Sequence, residues 1–270
     1  MGWLAALVML MWGGVALAQP LQLEGNLVQG GLAQGLVPPG SEVSFAGRAL
    51  RVDRDGRFLL GFGRDEASGA ALIVRYPDGS QEVRRLEIAR HDYAIERIDG
   101  LPPREVAPSA EDLVRIQADA RLIGAARQRD SGEPGVAGKF VWPVTGRISG
   151  VYGSQRILNG EPRRPHRGVD IAAPEGTPIG AMADGVVSLV APAMYFTGGT
   201  AMIDHGHGLH SIYAHMSEVA VTAGQAVRRG EPIGRVGATG RATGPHLHWG
   251  VFWFERALDP ALLVGPMPQP

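Results

Sequence analysis

Near the C-terminus the chain reads "TGPHLHW" from Thr243 to Trp249, with two imidazoles two residues apart. In an extended strand, residues i and i+2 share a face, so His246 and His248 point one way while Leu247 and Trp249 turn toward a core. Two imidazoles side by side are costly unless their ring nitrogens find partners, and a metal ion satisfies one of them with a large gain. Earlier, "PHRGVDIAAPEG" carries His166 and Asp170 four apart. Gly168 and the flanking Pro165 and Pro174 disfavour a helix there, and residues four apart also share a face of an extended segment. Imidazole nitrogen and carboxylate oxygen are both zinc ligands. A third stretch, "SIYAHM", places His215 two after Tyr213 and predicts that the two share a face. Taken one at a time, these are weak signals: a His-Asp pair at this spacing is usually a solvated loop, and a lone strand histidine is usually a satisfied core residue. No His-Glu-Xaa-Xaa-His occurs, and the chain has no cysteine, so thiolate ligands, thiol nucleophiles, disulfides and cysteine-linked lipid are excluded.

The elements that must position these residues are short strands. From Phe140 onward the pattern is apolar runs punctuated by Gly and Pro, such as "GVVSLVA", "TAMIDHG" and "LHWGVFW", which predicts an all-β C-terminal domain over residues 139–265. Residues 19–98 read as a smaller β-sandwich-like domain. Val43 and Phe45 alternate, as do Phe58, Leu60 and Phe62, and "DRDG" and "PDGS" supply hairpin turns. The linker, 99–138, is proline-marked and holds one helix over 110–129. Its start is signalled by Ser109 and Asp112 at capping-box spacing, and its stripe by Leu113, Ile116, Ala120 and Ile123. An amphipathic spacer is the simplest reading of that helix.

A formal net charge of -1 with no long basic run offers no attraction to nucleic acid. The first 18 residues are apolar and uncharged and end in Ala16-Leu17-Ala18, which predicts a signal peptide cleaved after Ala18 and no stable membrane span afterwards. The missing basic residue departs from the usual signal peptide, and an uncleaved anchor is the alternative. Either way, the rest of the chain is expected outside the cytoplasm.

Together, "HRGVD", "YAHM" and "TGPHLH", with the glycine framework between "GRISGVYGSQR" and "GATGRATGPHLHWGV", resemble the lysostaphin-type (LytM-like) zinc metallopeptidases, which cleave peptide cross-links of bacterial peptidoglycan. The resemblance covers residues 140–262 and implies a LytM-like antiparallel β-sheet domain. It implies that His166, Asp170 and His248 bind Zn2+ and that His215 and His246 are catalytic without being ligands. Three protein ligands leave a fourth position for a water whose pKa zinc lowers to about 7, the arrangement of a catalytic site. With no glutamate base of the His-Glu-Xaa-Xaa-His kind, the two histidines must handle protons or the oxyanion.

The implied function is that of a secreted zinc endopeptidase acting on peptidoglycan stem peptides, with the periplasm as the favoured compartment and the direct D-alanyl-diaminopimelate link as the favoured bond. Some relatives also carry an N-terminal region that covers the site, so intramolecular occlusion by residues 20–135 is expected. The alternatives are an inactive LytM-like activator of a cell-wall amidase, which would have lost ligands, and a wall-binding module with a structural metal. Of the other histidines, His205, His207 and His210 in "IDHGHGLHS" form a cluster with metal-like density. The glycines at 206 and 208 predict a turn instead, with Asp204 and His205 stabilising it, and His91 reads as a surface residue.

Overall fold

The structure is a computed structural model, and it describes residues 21–99, 108–132 and 139–268. The expected signal peptide and parts of the linker lie outside the described residues. No described helix is long and apolar enough to cross a membrane.

The N-terminal region opens with β1 (Gln22–Gly25), β2 (Leu32–Leu36), β3 (Glu42–Phe45), β4 (Arg48–Leu50), β5 (Arg57–Gly61), β6 (Gly69–Arg75) and β7 (Gln81–Glu87). They form two antiparallel sheets, ordered β1-β2-β5 and β4-β3-β6-β7. The "DRDG" turn closes as its residues dictate: Asp53 Oδ1 accepts from the backbone N–H groups of Asp55 and Arg57. Phe45, Phe58, Leu60, Phe62, Leu72 and Val74 fill the sandwich, and Phe45 meets Phe62 edge-on at 5.8 Å. Leu59, out of phase with its neighbours, is buried too. The reason is that this core does not stop at the sandwich. One apolar cluster runs on into the C-terminal region. A Cβ added to Gly61 would lie 2.4 Å from the Trp253 side chain, and Phe45 approaches the same indole at 6.3 Å.

Next comes β8 (Ile95–Ile98), the last strand before the linker. It leaves the sandwich and pairs in parallel with β10 (Gln155–Leu158), which also pairs with β11 (Glu161–Pro162). Helix α1 (Ala110–Arg127) starts at Ser109 with both halves of the capping box made: Ser109 Oγ accepts from the Asp112 N–H, and the Asp112 carboxylate accepts from the Ser109 N–H.

The C-terminal region adds β9 (Arg147–Gly150), β12 (Val169–Ala172), β14 (Gly185–Met194), β15 (Gly198–Asp204), β16 (Leu209–Met216), β18 (Ala226–Val227), β20 (His246–Trp253) and β21 (Arg256–Leu258) in one sheet. Its order is β18-β14-β15-β16-β20-β12-β9, with β21 on β20. A small sheet of β13 (Pro178–Gly180), β19 (Pro232–Arg235) and β17 (Glu218–Val219) and a short α2 (Pro260–Val264) complete it.

The two faces of the large sheet differ. Tyr213 pairs with Trp249 on one face, both fully buried, and Trp142 packs edge-on against Trp249 at 5.5 Å. On the other face Ala214 pairs with His248 and His210 with Phe252. At the Phe252 end, α1 lays Ile123 and Ala126 against Met202, Ile212 and Phe252. The expected stripe therefore packs at its C-terminal end, where Ile123 is half-buried, while Leu113 is 45% exposed.

A candidate metal centre beside two anchored histidines

The other end of that same face carries the candidate site. β12 and β20 run antiparallel with Asp170 directly opposite His248, so one cross-strand pair brings a carboxylate to an imidazole. His248 Nδ1 lies 2.8 Å from Asp170 Oδ1. His166 arrives from the loop before β12, and its Nε2 stands 3.1 Å from Asp170 Oδ1 and 3.1 Å from His248 Nδ1. The sheet can bring these groups together because β9 approaches Asp170 with a glycine. A Cβ at Gly150 would sit 2.3 Å from Asp170 Oδ2. Leu247 and Trp249, the alternating neighbours, are fully buried as the strand period requires.

The protonation pattern of this trio suits a cation. His166 Nδ1 donates to the Val151 carbonyl at 3.0 Å, which turns Nε2 toward the other two side chains. Burial pushes the His248 ring below its ordinary pKa, ahead of the opposing pull of its hydrogen bond to Asp170. Burial alone would raise the Asp170 carboxyl, but its close pairing with the His166 and His248 rings outweighs it and holds the group far below the usual carboxylate range. Two imidazole nitrogens and an ionised oxygen thus converge within 2.8–3.1 Å. A tetrahedral zinc with bonds of about 2.0–2.1 Å separates its ligand atoms by about 3.3 Å. The donor set fits zinc after a small outward relaxation.

His215 reaches the site by a route that strand alternation does not foresee. By alternation it belongs with Tyr213 on the buried face. Instead the β15–β16 register slips between Gly199 and Ala201, where three steps along β16 oppose two along β15. His215 takes a left-handed φ of 63° within this bulge. The bulge turns the ring onto the His248 face, 4.6 Å from His246 and 6.2 Å from His248, centroid to centroid. The expectation that His215 and Tyr213 share a face is corrected accordingly. Both flanking histidines are anchored alike. His215 Nδ1 donates to the Thr239 carbonyl at 2.8 Å and His246 Nδ1 to the Gly244 carbonyl at 2.8 Å, which leaves Nε2 of each ring for other partners. Burial lowers the His215 pKa to about 4, so its ring is neutral at neutral pH.

Three residues around the site carry no spacing signal. Val151 and Thr239 act through backbone carbonyls, which any residue type would supply. Arg156 donates from Nη2 to Asp170 Oδ2 at 3.0 Å. It ends the stretch "GRISGVYGSQR", where nothing in the local pattern marks an arginine for a ligand.

The cluster at 205–210 lies elsewhere. His205 is fully buried, bonded to the Asp184 carbonyl and to Ser211 Oγ, and burial lowers its pKa to about 4. His207, in a left-handed turn, bonds the Arg51 carbonyl through Nδ1 and the Ser131 carbonyl through its backbone N–H. His210 Nε2 donates to the Arg129 carbonyl. Asp204 does stabilise the turn, but through the Gly206 N–H, not through His205. His91 is exposed and stacks on Tyr93 at 4.7 Å.

The chain is similar to known peptidases. Residues 164–260 match the model of Peptidase family M23. A Pseudomonas aeruginosa crystal structure assigned to peptidase M23 is 32% identical and superposes with a TM-score of 0.69, over 89% of this chain and 96% of that one. An uncharacterised metalloprotease of Haemophilus influenzae is 42% identical over 124 residues, covering 46% of this chain and 23% of its own. The DD-carboxypeptidase/endopeptidase Mpg of Neisseria gonorrhoeae is 40% identical over 123 residues, covering 46% of this chain and 28% of its own. The matched stretch thus spans about a quarter of the length of these curated relatives.

Proposed function

This chain belongs to peptidase family M23, and on that premise we propose that it is an exported zinc-dependent endopeptidase that hydrolyses peptide cross-links of peptidoglycan. The observation that carries the reading is the convergence of two imidazole nitrogens and a carboxylate oxygen on one sheet face beside two histidines whose Nδ1 atoms are tied back to carbonyls. An inactive activator would have no need to keep all five groups in working geometry.

His166, Asp170 and His248 would hold the ion. Zinc, when bound, polarises the scissile carbonyl and lowers the pKa of water toward about 7. The chain's own contribution is two Nε2 atoms on rings held 4.6 Å apart. The neutral His215 ring can take up the proton released by the attacking water at Nε2, and the pair can return a proton to the leaving amine. The carbonyls of Thr239 and Gly244 fix each tautomer, so neither ring turns its protonated nitrogen to the substrate by mistake.

The direct D-alanyl-diaminopimelate cross-link is the proposed bond, a reading supported by the DD-endopeptidase names of the Neisseria and Vibrio cholerae relatives. Purified protein should carry zinc and clear a suspension of peptidoglycan, and a chelator should abolish clearing. Muropeptides released from a directly cross-linked wall should be monomers bearing a new amine on diaminopimelate. Zinc-loaded protein that leaves cross-linked dimers intact would refute the assignment. Export predicts a mature chain beginning at Gln19 by mass spectrometry.

A further inference from the structure

Arg156 lies between two carboxylates. Its Nη2 donates to Asp170 Oδ2 at 3.0 Å and its Nε to Glu96 Oε2 at 3.0 Å. All three side chains are partly buried, Asp170 most of all at 12% exposure. Glu96 comes from β8, on the far side of the linker, and its place is set by register: in the parallel β8–β10 pair, Glu96 stands opposite Arg156. The same stretch is gripped twice more from the N-terminal region. Tyr93 packs so closely on Gly153 that a Cβ there would be 2.1 Å from its ring, and Arg64 donates to the Gly153 carbonyl at 2.7 Å while lying 4.4 Å over the Tyr93 ring. Gly153 sits between Val151, whose carbonyl fixes the His166 tautomer, and Arg156, which holds Asp170.

We infer that Glu96 is a positioning residue for the metal centre, acting through Arg156, and that the N-terminal region thereby completes the site that the C-terminal sheet carries. This rests on His166, Asp170 and His248 being the zinc ligands. A carboxylate ligand has two oxygens and can swing between them. Arg156 takes Oδ2 and leaves Oδ1 aimed at the two imidazole nitrogens, the outer-partner role that orients metal ligands. A guanidinium so close to a bound dication also repels it, and in a partly buried setting that repulsion is weakly screened. Glu96 offsets the charge while its hydrogen bond keeps the guanidinium plane in place for Asp170. The arrangement lets the arginine orient the ligand without opposing the ion.

The test uses the full chain, stripped of metal and titrated with zinc against a chromophoric chelator, alongside thermal unfolding of the metal-free protein. Wild type should bind one zinc. Glu96→Gln, nearly isosteric and able to keep the β8–β10 pairing, should weaken zinc about 10-fold, with the metal-free melting temperature little changed. Arg156→Gln should weaken it about 10- to 100-fold. Because Glu96 acts through Arg156, adding Glu96→Gln to Arg156→Gln should change affinity less than about twofold. Zinc affinity unchanged in Glu96→Gln, or an equal loss in both backgrounds, would overturn the inference while leaving the zinc site intact. Wild type that binds no zinc would instead remove the premise.

Discussion

Two groups of histidines sit at different ends of the large sheet, and only one of them turns its ring nitrogens on a shared point. His205, His207 and His210 are the denser in sequence. Yet each ring has a nitrogen spent on a different backbone carbonyl, those of Asp184, Arg51 and Arg129, and His205 spends its other on Ser211. His166 and His248 are distant in sequence but turn their free nitrogens to one carboxylate oxygen. What separates a fastening from a site is the direction of the lone pairs, not the count of imidazoles. His207 and His210 fasten the N-terminal region and the linker to the β15–β16 hairpin and His205 ties it to Asp184, while the second group turns its nitrogens toward one carboxylate oxygen.

The largest expected effect is at His248. His248→Ala removes one of three donors and should cost far more than the roughly 100-fold limit of an outer-partner change, giving protein with little zinc and no peptidoglycan clearing. Full zinc content with activity in that variant would erase the distinction between the groups. Next in size is His215→Ala, which should keep its zinc and lose turnover by on the order of 100- to 10,000-fold. The same holds for His246→Ala, and zinc loss from His215→Ala would make that residue a ligand. In the fastening group, His205→Ala leaves Ser211 and the Asp184 carbonyl short of a partner. Chemical denaturation should show about 1–3 kcal/mol lost with zinc content unchanged. His207→Asn should do least: asparagine tolerates the left-handed turn, and one bond to Arg51 is worth about 0.5–1.5 kcal/mol.

Acid should sharpen the same contrast. His205 is neutral in the fold, with a pKa near 4, against an ordinary value of 6.5. Between those values the unfolded chain binds more protons, so folding stability is whole above about pH 6.5 and declines as pH falls toward 4. In urea titrations over that range His205→Gln should show a shallower decline than wild type, and identical slopes would deny His205 its part.

Much of this was legible in sequence where a side chain reports its own surroundings. Leu247 and Trp249 declared the buried face of β20, and so placed His246 and His248 together on the other. Ser109 and Asp112 declared the start of α1. The misses share a physical cause, which is that backbone geometry and distant pairing leave no local composition signal. His215 changes face through a bulge whose left-handed φ no residue type announces. Glu96 and Arg156 are 60 residues apart and meet only because β8 leaves the sandwich to pair with β10. Leu59 is buried out of step with Phe58 and Leu60, in a core that continues past the sandwich. That shared core also bears on the expected covering of the groove by residues 20–135. A chain beginning at Gly138 would expose Trp253 and lose Glu96. It should therefore bind zinc more weakly than the full chain, whereas a fragment that retains zinc and digests faster would favour occlusion.

The most direct measurement is anomalous diffraction at the zinc edge from crystals of the zinc-loaded full chain. One peak should lie about 2.0–2.1 Å from His166 Nε2, Asp170 Oδ1 and His248 Nδ1, with His215 and His246 beside it but unligated. A peak among His205, His207 and His210, or none at the His166–Asp170–His248 trio at saturating zinc, would contradict it.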